Sequence, residues 1–129
     1  MKKITNDWLL SAESDLAIID RIIDQPNLTH QVAFHAQQVV EKSFKAIIEE
    51  FEIGFIKTHS LNALYSKVED KIEMVIDSDL ISLLDQLYID SRYPGEMGLL
   101  PDGKPSRQQA VEFYEFAISI LKSVRSALE

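Results

Sequence analysis

Residues 29–51, THQVAFHAQQVVEKSFKAIIEEF, carry the clearest secondary-structure signal in this chain of 129 residues. Apolar side chains recur there every three or four positions, which places them along one side of an α-helix. We predict Thr29 as the N-cap of this helix, and Gly54 follows its end. The apolar stripe consists of Ala33, Ala36, Val40, Phe44, Ile47, Ile48 and Phe51.

The same spacing predicts four further helices, and no comparable alternation predicts a strand. Because each amphipathic helix must cover its apolar stripe with a neighbour, we predict an all-α, up-and-down bundle of four to five helices forming one domain over residues 1–129. The last helix is predicted to bury Ala110, Val111, Tyr114, Ala117, Leu121, Val124 and Leu128. The predicted starts lie near Asn6, at Ser60, at Asp77-Ser78-Asp79, and after Pro105 with Ser106 as N-cap.

One connection stands out by its composition. Three of the four glycines and three of the four prolines lie between Arg92 and Pro105. This cluster of helix-breaking residues predicts a long Gly/Pro-rich loop before the last helix. Long ordered connections are often functional, so the loop is a first place to look for a site.

Composition excludes several classes of function. The chain has no cysteine, which rules out thiol chemistry and iron–sulfur clusters. Thirteen Lys and Arg against twenty-one Asp and Glu give a net charge of -8, so any nucleic-acid binding must be local and DNA is not expected as a ligand. The apolar runs are too short to cross a membrane, and the N-terminus lacks the pattern of a signal peptide. We therefore expect a cytoplasmic protein.

A polar stripe follows the helix of residues 29–51. His35, Gln38, Lys42 and Lys45 are spaced three, four and three apart, roughly opposite the apolar stripe. One interpretation is a solvated surface. The other is a face that binds phosphate, although Glu41 beside Lys42 weakens it.

Further candidates lie near the predicted helix ends. His59, at the start of the third helix, either caps backbone groups or faces a ligand. Arg92 and Tyr93 precede Pro94 at the predicted start of the loop. One interpretation is that they bind a phosphate or stack on a base, and the other is that Arg92 pairs with Asp85 or Asp90 and only anchors the loop. A metal site built from His30, His35 and His59 lacks the spacing of known metal helices, so we expect no metal and no cofactor.

Four segments together resemble the HEPN family of small prokaryotic helical proteins. They are Trp8 with residues 12–16, the run HAQQVVEKSFKA at 35–46, THSL at 58–61, and SRYP at 91–94. The resemblance spans most of the chain. It implies a helical bundle that forms a homodimer, often works with a minimal nucleotidyltransferase, as in toxin–antitoxin systems, and binds nucleotides or RNA.

Several branches of this family are metal-independent ribonucleases that use an Arg followed, after four to six residues, by a His. Here Arg92 is followed at 96–99 by Glu, Met, Gly and Leu, and Arg107 also lacks such a His. Cleavage needs a base for the 2′-hydroxyl proton, and an Arg is a poor base. His35 or His59 could replace the missing His only if folding brought it beside Arg92.

We therefore expect a non-catalytic binding module rather than an enzyme. The alternatives are an endoribonuclease toxin that uses Arg92 with a displaced His, and a protein adaptor without a ligand. The residues that match recurrent positions of the family, and that we expect to hold a nucleotide or RNA phosphate, are His35, Gln38, Lys42, Lys45, His59, Arg92 and Tyr93.

Overall fold

A computed structural model describes residues 1–74, 76–90 and 104–129, with the backbone alone at positions 89 and 90. Within these ranges the chain is helical and contains no strand, which confirms the predicted all-α bundle. The predicted loop, with Arg92 and Tyr93, lies outside the described residues. The helices are α1 (Lys3–Ile22), α2 (Thr29–Glu50), α3 (Leu61–Val68), α4 (Ser78–Asp90) and α5 (Arg107–Leu128), and a 3-10 turn at Pro26–Leu28 precedes α2.

Helix α2 is the centre of the bundle and packs against each of the other four α-helices. Thirteen of its 22 residues are buried, far more than one amphipathic stripe supplies. Several polar residues of α2, among them Gln37, Glu41 and Ser43, are buried as well, and they lie within or at the edges of the apolar stripe.

Two helix starts are capped by side chains from other helices. The Glu50 carboxylate, at the end of α2, accepts hydrogen bonds from the Lys2 backbone N–H and the Thr5 hydroxyl, each at 2.9 Å. This anchoring lets α1 begin at Lys3, earlier than predicted. Asp85 of α4 accepts from the backbone N–H groups of Leu61 at 2.7 Å and Asn62 at 3.2 Å, next to the N-cap Ser60, where the third helix was predicted to start. Both carboxylates satisfy donors that a helix start leaves unpaired.

Two local predictions about helix starts have different outcomes. Ser106 caps α5 in a reciprocal capping box with Gln109, as its position predicts. Thr29 is not the N-cap of α2, because the 3-10 turn leads directly into the helix and leaves Leu28 in that place. Thr29 already has helical backbone angles, and its side chain is buried.

The buried side of α5 is shifted from the predicted stripe. Phe113, Phe116 and Ile120 are buried, whereas Val111, Tyr114 and Leu128 are only partly buried. The reason is that α5 packs mainly on α2, whose position sets which face is covered. No helix in the described part of the chain is both long and apolar enough to cross a membrane.

Candidate functional site

The polar stripe of α2 is largely covered by the rest of the protein. The side chains of His35, Lys42 and Lys45 are only 18–20% exposed. The interpretation of the stripe as a solvated surface is therefore wrong. Two buried carboxylates, Asp15 and Glu41, explain how these polar groups are accommodated inside the bundle.

The first carboxylate organises what we call the Asp15 cluster, made of Asp15, His35 and Lys42. Asp15 lies on the buried face of α1, and its two oxygens contact His35 Nδ1 at 2.8 Å and Lys42 Nζ at 2.7 Å. Burial by itself raises the pKa of Asp15, but the hydrogen bonds from His35 and Lys42 outweigh it and hold this pKa below its ordinary value. The carboxylate is thus ionised and joins α1 to α2.

The second carboxylate organises the Glu41 cluster, made of Glu41 and its contacts on α2 and in the segment before α3. The Glu41 side chain is 4% exposed. It contacts Lys45 Nζ at 2.9 Å, Gln37 Nε2 at 3.1 Å and His59 Nδ1 at 3.1 Å. Gln37 also donates to the His59 carbonyl oxygen at 3.0 Å and accepts from Gln38 Nε2 at 2.6 Å. The residue that weakened the phosphate hypothesis is therefore the centre of the cluster.

The contact with Glu41 determines which nitrogen of the His59 ring carries the donated proton. A carboxylate that faces Lys45 can only accept hydrogen bonds, so His59 Nδ1 carries a proton and donates it to Glu41. With that proton on Nδ1, Nε2 accepts a hydrogen bond whenever the ring carries a single proton. Because the His59 side chain is 55% exposed, this pair can present a base or a hydrogen-bonding group to a ligand.

A row of rings links the two clusters to the end of α4. Phe34 contacts His35 edge to face, with centroids 5.2 Å apart, and stacks on Tyr88 at 5.7 Å. Tyr88 in turn lies 5.5 Å from the His59 ring. Folding therefore places His59 against a residue four positions before Arg92 in sequence. Arg92 and Tyr93 themselves are outside the described residues.

An open cleft of about 230 Å³ adjoins the Glu41 cluster. Lys45 and His59 line it together with Trp8 of α1 and the segment that follows α2. The Lys45 ammonium also lies 5.2 Å from the centre of the Trp8 ring, a cation–π contact. Sequence reasoning did not assign this cleft, which is formed by three separate parts of the chain. Its lining includes Trp8, Lys45, Glu49, Phe55, Lys57 and His59.

The five described candidates thus form two groups. His35 and Lys42 belong to the Asp15 cluster, and Gln38, Lys45 and His59 belong to the Glu41 cluster. Among the described residues, no group of three or more His, Asp or Glu side chains is arranged to hold a metal ion.

The carboxylates of Asp15 and Glu41 were not predicted as site residues, although the sequence carries a signal for them. Each is a charged residue at helical spacing from apolar ones: Asp15 lies between Ala12 and Ile19, and Glu41 lies three residues before Phe44.

Comparisons with known proteins agree with this architecture. The family model of the HEPN domain matches residues 5–127. The crystal structure of an archaeal HEPN homologue superposes with a TM-score of 0.71, at 26% sequence identity, with all of both chains covered. The comparison with curated proteins finds no match. Because the family model covers nearly the entire chain, the protein belongs to the HEPN domain family.

Proposed function

We propose that this HEPN-type module binds a phosphate group of a nucleotide or of RNA at the Glu41 cluster. The observation that carries the proposal is that Lys45 and His59 line an open cleft while a buried carboxylate holds both in place. An ordered donor loses less conformational entropy on binding than a free surface lysine does.

The charge of Glu41 does not remove this capacity. The carboxylate is nearly inaccessible, and Lys45 has three N–H donors, of which the Glu41 contact uses one. Lys57, exposed on the same cleft, adds a second ammonium group. On a chain with a net charge of -8, these two ammonium groups are the positive charges that the cleft offers to a phosphate.

The test is equilibrium binding of a labelled single-stranded RNA, followed by fluorescence polarisation at several salt concentrations. We expect Lys57→Gln to weaken binding several-fold and to reduce the slope of log K against log salt by about 0.7, the value for one phosphate contact to a single strand. Lys67→Gln, on an exposed position of α3 outside the cleft, is the matched control and should bind as the wild type does. Absence of binding at low salt by both the RNA and a mononucleotide, or equal effects of the two variants, would refute the proposal.

The proposal includes partners. We propose a homodimer that acts with a minimal nucleotidyltransferase, in a system of the toxin–antitoxin type, as membership of the HEPN family suggests. Its acidic surface suits a protein partner better than bare RNA. Light scattering of the purified protein tests the dimer, and co-purification with a nucleotidyltransferase encoded nearby tests the partner. A monomer, or a failure to co-purify, would contradict the respective statement.

A second candidate function is metal-independent cleavage of RNA. The contact of His59 with Tyr88 favours it, since an oriented imidazole packs against the residue four positions before Arg92 in sequence. This second function predicts that the purified protein cleaves RNA in the presence of EDTA and that Arg92→Ala and His59→Ala each abolish the cleavage. Intact RNA would exclude it and leave the binding module, whereas cleavage unchanged in Arg92→Ala would exclude this mechanism.

A further inference from the structure

We propose that Phe55 and Trp8 form a stacking site for a nucleobase in the cleft beside Lys45 and Lys57. The inference rests on the proposed function and deepens it, because it assigns the base-binding part of the ligand to residues outside the two clusters. The bound group would be one base of a single-stranded RNA or a nucleoside phosphate.

Phe55 is the most unusual side chain of this surface. It is 89% exposed, the highest value of any large apolar residue in the described part of the chain. It directly follows Gly54, whose φ of +125° is a conformation that side chains other than glycine rarely adopt. The backbone therefore turns at Gly54 and presents the Phe55 ring at the cleft instead of packing it in the core.

Trp8 contributes the second aromatic group. Its half-buried ring packs against the core and lines the cleft beside the Lys45 ammonium. Aromatic rings on which a base can stack, next to lysines that contact the backbone, are the shared features of sites for single-stranded nucleic acid. Phe55 supplies the accessible ring, and Trp8 supplies a rigid wall.

The size and charge of the cleft favour a base over other occupants. Its volume of about 230 Å³ is below the range of roughly 300–1,000 Å³ of pockets for drug-sized ligands, so one ring system fits and the attached phosphate remains near the rim. Two lysines line the cleft against one glutamate, Glu49. A purely apolar peptide would make no use of the Lys57 ammonium or of the remaining N–H donors of Lys45, whereas a base with its phosphate uses both the rings and the lysines.

The experiment uses the full chain, in which Trp8 is the sole tryptophan and therefore reports on the cleft. Its fluorescence is titrated with AMP and, as ligands without a base, with ribose 5-phosphate and inorganic phosphate. We expect AMP to quench Trp8 and the two base-free ligands to leave it nearly unchanged. Phe55→Ala should weaken AMP binding about tenfold or more, and Phe55→Tyr, which keeps the ring, should restore it.

Phe51→Ala is the matched control. Phe51 lies four residues away, is 43% exposed and is not part of the cleft lining, so its loss should leave AMP binding unchanged. Quenching of equal size by ribose 5-phosphate, no quenching by AMP, or equal effects of Phe55→Ala and Phe51→Ala would overturn the inference.

The polarisation assay separates this inference from the proposed function. If RNA binding depends on Lys57 but is unchanged in Phe55→Ala, only the stacking site is refuted. If neither RNA nor AMP binds, the proposed function is refuted and the stacking site with it. Weaker RNA binding by both Lys57→Gln and Phe55→Ala, with Phe51→Ala unaffected, supports both.

Discussion

The carboxylate of Glu41 and the imidazole of His59, 18 residues apart in sequence, meet with Oε1 and Nδ1 at 3.1 Å. One partner is buried in the central helix and the other is half-exposed in the segment that leads to α3. The buried carboxylate fixes the orientation of a group that solvent and ligands can reach. An exposed polar group that is oriented by a hydrogen bond to a buried residue is typical of binding and catalytic sites.

Replacement of Glu41 should reveal its role as the centre of the cluster. Glu41→Gln keeps the shape but removes the charge that faces Lys45 and His59, and we expect the free energy of unfolding to fall by about 2–4 kcal/mol. Urea denaturation of the two proteins measures this difference. Glu49 is a less buried glutamate on the same helix, so the control Glu49→Gln should lower the free energy of unfolding by under about 0.5 kcal/mol. Similar losses for the two variants would contradict the role of Glu41 as the centre of the cluster.

The Asp15 cluster should contribute stability that depends on pH. Because the folded-state pKa of Asp15 lies below its ordinary value of 3.8, the stabilisation is complete above that value and is lost as the pH falls through the lower folded-state pKa. Asp15→Asn should therefore be less stable than the wild type at neutral pH, with a difference that shrinks in acid. Urea midpoints across this pH range measure it. Asp7→Asn, which alters an exposed pair on the same helix, should show little difference at any pH.

His30, in the first turn of α2, should destabilise the fold when it becomes protonated. Burial and the positive charge of Lys104 lower its pKa below the ordinary 6.5. The unfolded chain thus takes up the proton first, and stability is lost as the pH falls from above 6.5 toward the folded-state pKa. We expect His30→Gln to lose less stability than the wild type over this interval. An NMR titration should also show the His30 pKa rising in Lys104→Gln, and an unchanged value would contradict the role of Lys104.

Asp85 should stabilise the bundle through the start of α3. Asp85→Ala leaves the N–H groups of Leu61 and Asn62 without their carboxylate acceptor, and we expect a loss of about 1–3 kcal/mol. Thermal and urea denaturation measure the loss. Asp79→Ala, at the exposed start of α4, is the control and should cost clearly less, so equal losses would argue against a cap that crosses between helices.

Local features of the chain were enough to predict its helical architecture. Apolar residues at helical spacing predicted all five helices, Ser106 was predicted as the N-cap of α5, and the start of α3 was predicted at Ser60. These signals act within a few residues, so no knowledge of the packing is needed to interpret them. The start of α1 was predicted late because its cap comes from Glu50, 45 residues beyond Thr5.

The candidate site was only partly predictable for the same reason. His35, Gln38, Lys42, Lys45 and His59 were named from the sequence, but as one stripe on one surface. The structure divides them between two carboxylates, because α2 is enclosed by neighbouring helices rather than open on one side. The cleft with Phe55 could not be predicted, since it depends on a turn at Gly54 and on the approach of α1.

The order of residues along the chain already specifies which segments are helical and which polar residues interrupt their apolar stripes, because helix periodicity and capping are local interactions. The pairing of Asp15 with Lys42 and of Glu41 with His59, at separations of 27 and 18 residues, depends instead on how the helices pack. Buried charges require partners, and the partner available to each is set by the packing of the helices rather than by distance along the chain.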